Sequence, residues 1–203
     1  MIHLNGNLLC AIGIETTGTK VGLHDIVQIC VMPLDSTIKP HSTLMPFDLV
    51  LKPDRLDQID IEDVKINKLR LANYALTGFD PFEAADLFAD WYKTLGLREN
   101  KKIMPLAYNW ALMRPFLEEW LGTCNFEYHF DERYREIVST ALYLDDRADI
   151  EIEQFPFAKV NLQYLTTTLR LPFEPDRKHE AIYSCATIAA VYRELLRLRV
   201  GIL

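Results

Sequence analysis

In "LLCAIGIETTG" (8–18), strand-like residues from Leu8 to Ile14 lead to a single carboxylate, Glu15, and the pattern breaks at Thr16-Thr17-Gly18. A carboxylate at the mouth of a buried strand commonly holds a divalent metal or moves a proton. Strand side chains alternate between faces, so a second acid on the side of Glu15 belongs two residues earlier. Gly13 stands there. His24 and Asp25 follow the turn and could approach the same strand end, while "DDRADIEIE" (145–153) reads more economically as an exposed acidic loop than as replacement ligands. Positive charge gathers in "DRKH" (176–179) and "YRELLRLRV" (192–200), which supply Arg177, Lys178, Arg193, Arg197 and Arg199. Arg193 and Arg197 share a helical face at i, i+4. Such a face suits phosphate, and equally suits a solvated helix end whose cations complement the helix dipole.

The elements that must carry these residues are legible in the apolar pattern. "LLCAIGI" (8–14), "DIVQICVMPL" (25–34) and "LMPFDLVLKP" (44–53) read as strands joined by turns, an antiparallel opening. "DPFEAADLFADWYKTL" (80–95) reads as a helix with Asp80 as N-cap before Pro81, and with Phe82, Ala85, Phe88, Tyr92 and Leu95 on its covered face. "KKIMPLAYN" (101–109) predicts a strand, "FLEEWLG" (116–122) a helix stopped by Gly122, and "YREIVSTALYL" (134–144) a further strand. Two helices, 161–171 and 180–200, close the chain around the loop "PFEPDRKH". The order predicts one α/β domain over 1–203, a mixed five-stranded sheet whose first three strands are antiparallel, flanked by helices.

Composition agrees with that class. The 203 residues are 49% hydrophobic and 25% charged, the balance of a globular protein with a full core. A net charge of −7 excludes a polycation that coats nucleic acid, so any such contact must be local. Cys10, Cys30, Cys124 and Cys185 lie far apart, three of them inside apolar runs, which suits a reducing compartment. With no stretch approaching a bilayer span and no export signal, the reading is cytoplasmic, without membrane.

Three blocks, taken in order, carry a resemblance: "AIGIETTG" ahead of the strand meander, "LAYNWALMRPFL" after the first long helix, and "HEAIYSCATIAAVYREL" near the C-terminus. Together they resemble the DEDD, or DnaQ-like, 3′-to-5′ exonucleases of the histidine subtype, which implies an RNase H-like fold. That family reads Asp-x-Glu-Thr-Thr-Gly, then His-Asn-x-x-Phe-Asp, then His-x-Ala-x-x-Asp. Here Glu15, Thr16, Thr17 and Gly18 stand, with Gly13 in place of the leading Asp. The second block keeps Asn109, but Tyr108 replaces its His and Met113 its Asp. His179 and Ala181 survive in the third, where Ser184 replaces the last acid, and the acidic step on the next strand reads "STAL", with Ser139.

The resemblance thus implies a catalytic centre with three of its four acids lost. Family chemistry uses two Mg²⁺ or Mn²⁺ ions about 3.5–4 Å apart, and Gly, Met and Ser offer these hard cations no charged oxygen. No cofactor is expected for this chain. Glu15 and His179 remain as remnants of catalysis, Glu15 holding metal weakly at most. Thr16, Thr17, Tyr108, Asn109, Arg177 and Lys178 become the candidate nucleic-acid contacts. Turn formation explains Thr16 and Thr17 as well, and strand-end hydrogen bonding explains Asn109. The expected function is a non-catalytic module for single-stranded DNA or RNA 3′ ends or a nucleotide, or a regulatory subunit with a protein partner. The alternatives are an exonuclease with ligands rebuilt around Glu15 and His179, and a protein-interaction scaffold; homodimerisation stays open.

Overall fold

A computed structural model describes residues 4–55, 57, 68–150 and 157–198, with backbone alone at 68–70. Its centre is β1 (Leu8–Thr16), paired antiparallel with β2 (Ile26–Pro33) and parallel with β4 (Ile103–Ala107). β3 (Phe47–Val50) joins the far side of β2 antiparallel, and β5 (Arg135–Glu136) joins β4 in parallel. The sheet order is β3-β2-β1-β4-β5. This is the expected mixed sheet with an antiparallel opening.

Alternation along β1 divides the core into two layers. Leu9 and Ala11 pack with Cys30, Leu106, Ile137, Leu165, Cys185 and Ile188, under α5 (Ile137–Ile150), α6 (Leu162–Thr168) and α7 (Ala181–Arg197). Cys10 and Ile12 pack on the opposite face with Phe88, Phe116, Leu117 and Phe130, under α2 (Pro81–Thr94), α3 (Trp110–Leu121) and α4 (Thr123–His129). α1 (Lys68–Thr77) contributes Leu71 and Tyr74 to a small cluster with Val27. Gly13 and Glu15 continue the series of Leu9 and Ala11, so both belong to the layer that α7 covers. Among the described residues no helix is long and apolar enough to cross a membrane.

Four expectations need correction. The run 134–144 is not a strand: β5 stops after two residues and α5 begins at Ile137. Glu136 forces the change, because its Oε2 accepts Ser139 N–H at 2.6 Å and Ser139 Oγ–H at 2.9 Å, capping a helix where a ladder would continue. The acidic run is not a loop either. Asp145, Asp146 and Asp149 ride on α5, which extends because Ala141, Leu144 and Ala148 are buried at helical spacing; residues 151–153 lie outside the described residues. α3 starts at Trp110 and passes through Pro115, held by the buried face Trp110, Met113, Phe116, Leu117 and Leu121. On α2, Asp80 caps as expected, accepting Phe82 N–H and Glu83 N–H, but that cap turns Ala84 and Phe88 inward and leaves Phe82 82% exposed.

Candidate functional site

β1 and β4 run parallel and end at one edge of the sheet, the usual place for a ligand site in α/β folds. The chain leaves β4 through Tyr108 and Asn109 into α3, while the segment 173–180 delivers the start of α7 above the end of β1. Between them lies a cavity of about 500 Å³, which α6 borders through Asn161–Gln163. Gly13, Glu15, Thr16, Tyr108, Asn109 and Met113 line it from the sheet and α3, and Lys178, His179 and Ser184 from the α7 side.

Backbone chemistry fixes each wall. α7 is anchored by a sheet residue, Gln28, whose Oε1 accepts Ala181 N–H at 3.0 Å while its amide donates to the Tyr74 hydroxyl. Gln28 faces Glu15 in the β1–β2 register, which places the helix start directly over the strand end. Asn109 adopts a left-handed conformation, φ 62°, and its N–H donates to Glu136 Oε1 at 2.8 Å. Glu136 therefore holds the α3 entry with one oxygen and the α5 start with the other. Neither Gln28 nor Glu136 was singled out from sequence. The usable signal was a polar residue inside an otherwise apolar run, "DIVQICV", and an acid closing a short strand.

Gly13 is the decisive position. A Cβ there would sit 2.7 Å from the Ala181 carbonyl oxygen and 3.2 Å from Cys185 Sγ. The first turn of α7 occupies the space that an acid on β1 would need. Met113 is 9% exposed and packs into the α3 core, and Ser184 belongs to the first turn of α7. Glu15 is left with His179, whose Nδ1 lies 3.4 Å from Oε2, beyond the ordinary hydrogen-bond range. Among the described residues no three His, Cys, Asp or Glu side chains converge as a metal-binding group. The donor set of the cavity does not fit the family's two metal ions, since one carboxylate and an imidazole cannot offset their dehydration.

The remaining candidates divide by location. Thr16 lines the cavity while its Oγ–H donates to Gly18 O at 2.7 Å. Thr17 does not line it: it is 1% exposed, and its Oγ1 accepts Asp25 N–H at 2.9 Å. Burial, then the charge of Glu136, raises the Tyr108 phenol above its ordinary value, so this hydroxyl stays protonated at the cavity wall. Arg177 stands outside the lining, paired with Glu180 at 2.9 Å and set over the Tyr183 ring. Arg193 and Arg197 both pair with Glu194, and Arg199 lies outside the described residues. Lys178 faces the cavity. His24 and Asp25 are at a separate depression: His24 Nδ1 accepts Lys20 N–H, and Asp25 pairs with Arg55 at 2.9 Å. Ser139 is on α5, beside Glu136.

No protein-family model and no curated protein matches the chain. Solved structures do. The nuclease domain of 3′hExo, a DEDDh family member bound to rAMP, superposes with a TM-score of 0.64 at 16% identity, over 94% of this chain and 92% of that one. Exonuclease I from Methylocaldum szegediense gives 0.71 at 17% identity, over 96% of this chain and 41% of that one. The zinc-bound E. coli exonuclease I–ssDNA complex gives 0.70 at 16%, over 95% and 41%. The chain thus has the RNase H-like fold of the DEDDh 3′-to-5′ exonucleases and spans less than half the length of the exonuclease I chains.

Proposed function

We propose that this chain is a non-catalytic module with the exonuclease fold, which holds a nucleotide or a single-stranded 3′ end in the cavity between β1, α3 and α7. One observation carries the reading: the cavity is open at about 500 Å³ while the position of its leading acid, Gly13, is closed against a side chain by the Ala181 carbonyl at 2.7 Å. Binding volume and metal-binding capacity have parted. Among relatives of the fold, 3′hExo is described with rAMP and E. coli exonuclease I with ssDNA, which supports a nucleotide-sized occupant here. Lys178 supplies positive charge at the rim, and Tyr108 and Asn109 supply neutral hydrogen-bonding groups.

Anisotropy of labelled single-stranded DNA and RNA tests this directly. Binding is expected in EDTA and unchanged by magnesium. Its salt dependence should be shallow, because counterion release follows the few phosphates that the cavity's cations neutralise. Affinity that appears only with a divalent metal would reverse the reading in favour of an enzyme with rebuilt ligands, and absence of binding under every condition would leave a protein-interaction scaffold.

A further inference from the structure

The cavity has the wrong charge for a phosphate beside Glu15. Glu15, with only 15% of its side chain exposed, puts a carboxylate there; Oε2 faces His179, and Oε1 has no hydrogen-bond partner among the described residues. With the donor set unfit for metal, a phosphate beside Glu15 would meet a like charge in a partly desolvated site. The cation Lys178 stands on the α7 side with His179. The rest of the lining combines apolar and aromatic side chains, Leu112, Met113, Leu162, Phe173 and Tyr183, with a few neutral polar ones. Tyr183 is held in place, since its hydroxyl accepts Glu174 N–H at 2.6 Å and the Arg177 guanidinium lies 4.9 Å from its ring centre.

A partly desolvated acceptor-only group in a cavity with aromatic lining selects a planar ligand whose edge carries adjacent N–H donors. We infer that the cavity reads a nucleobase, edge first, with Glu15 accepting two neighbouring N–H groups of a guanine-type edge, and that it does so without a divalent metal or a phosphate. The sugar then points outward, and any phosphate reaches the side of Lys178. This rests on the proposed function, because it names what the same cavity recognises. It also reverses the task of Glu15, from metal ligand to base reader.

The probes are guanosine, inosine, adenosine and a short labelled oligonucleotide, titrated by calorimetry or anisotropy in EDTA and again in magnesium. Guanosine is expected to bind equally in both. Inosine, which lacks the exocyclic amino group, should bind at least about tenfold more weakly, in the range of a lost bidentate base contact. Glu15→Gln should erase that preference, because its amide presents a donor where the base needs an acceptor; matching unfolding midpoints will show that the variant is folded. Oligonucleotide binding without nucleoside binding would overturn this inference and leave the proposed function standing. Failure of both probes would remove both. Equal affinity for all nucleosides, or a preference that survives Glu15→Gln, would likewise overturn it.

Discussion

Gly13 shows how an absent side chain can be more than an omission. The block pattern reads Gly13 as a missing acid, whereas the structure shows the α7 carbonyl of Ala181 2.7 Å from where its Cβ would lie. Gly13→Asp is therefore expected to destabilise the fold rather than rebuild a metal site. Overpacking of a closed core costs about 1–3 kcal/mol, and an unpaired carboxylate adds to it. Urea unfolding measures the loss, and calorimetry with manganese should detect no new binding. Tight manganese binding with wild-type stability would show that α7 yields to an acid at this position. Glu136 makes the complementary case. It is 9% exposed and accepts from Asn109 N–H, Ser139 N–H and Ser139 Oγ–H. Glu136→Ala leaves these donors unpaired and should lower stability by about 2–3 kcal/mol, with Glu136→Gln losing less.

At the scale of elements, the legible parts were those whose side-chain pattern and backbone chemistry agree. β1, β2 and β4 are short apolar runs bounded by turn residues, and α2 announces itself through Asp80 and Pro81. The β5–α5 junction departs from its sequence pattern because "EIVSTALYL" carries β-branched residues, while its helical state depends on Glu136 folding back on Ser139, a contact that composition does not display. The cavity residues Gly13, Glu15, Met113, His179 and Ser184 were brought together by the block resemblance alone; no local spacing links positions 15 and 179. What stayed hidden was the steric fact at Gly13, which depends on the register of α7 against β1. The α2–α4 layer yields an independent prediction. His129 lies edge-on to Phe88 and Tyr92, its Nδ1 within 2.6 Å of Asn125 O. Burial pulls its pKa below the ordinary value of about 6.5, outweighing the carbonyl contact. The unfolded chain then takes up a proton first as pH falls, so stability present above about pH 6.5 declines below it. Unfolding midpoints measured from pH 7.5 to 5.5 should fall for the native chain and fall less for His129→Gln, after allowance for the variant's lower starting stability.

The whole molecule joins the exonuclease fold to a cavity that one carboxylate, Glu15, lines. A chain of net charge −7 gains little general attraction for nucleic acid, and Arg177, Arg193 and Arg197 are paired with glutamates, so the proposed binding relies on the cavity rather than on these cations. Hydrolysis makes a stricter demand than binding. Two-metal phosphodiester cleavage requires ions that both generate the nucleophile and stabilise the leaving oxygen. Here the described residues converge on no metal-binding group, and without a bound metal His179 would have no metal-activated water to deprotonate. Loss of one preorganised charge-stabilising group typically lowers a rate by about 100-fold to 1,000-fold, and several such losses compound until background dominates. Labelled single-stranded DNA and RNA incubated with magnesium or manganese should therefore release no 3′ nucleotide above background. A Glu15→Ala preparation, purified in parallel, decides what any release means. Activity shared by both proteins comes from a contaminating nuclease, whereas activity that vanishes with Glu15 would establish a rebuilt catalytic centre and displace the binding module as the function of this fold.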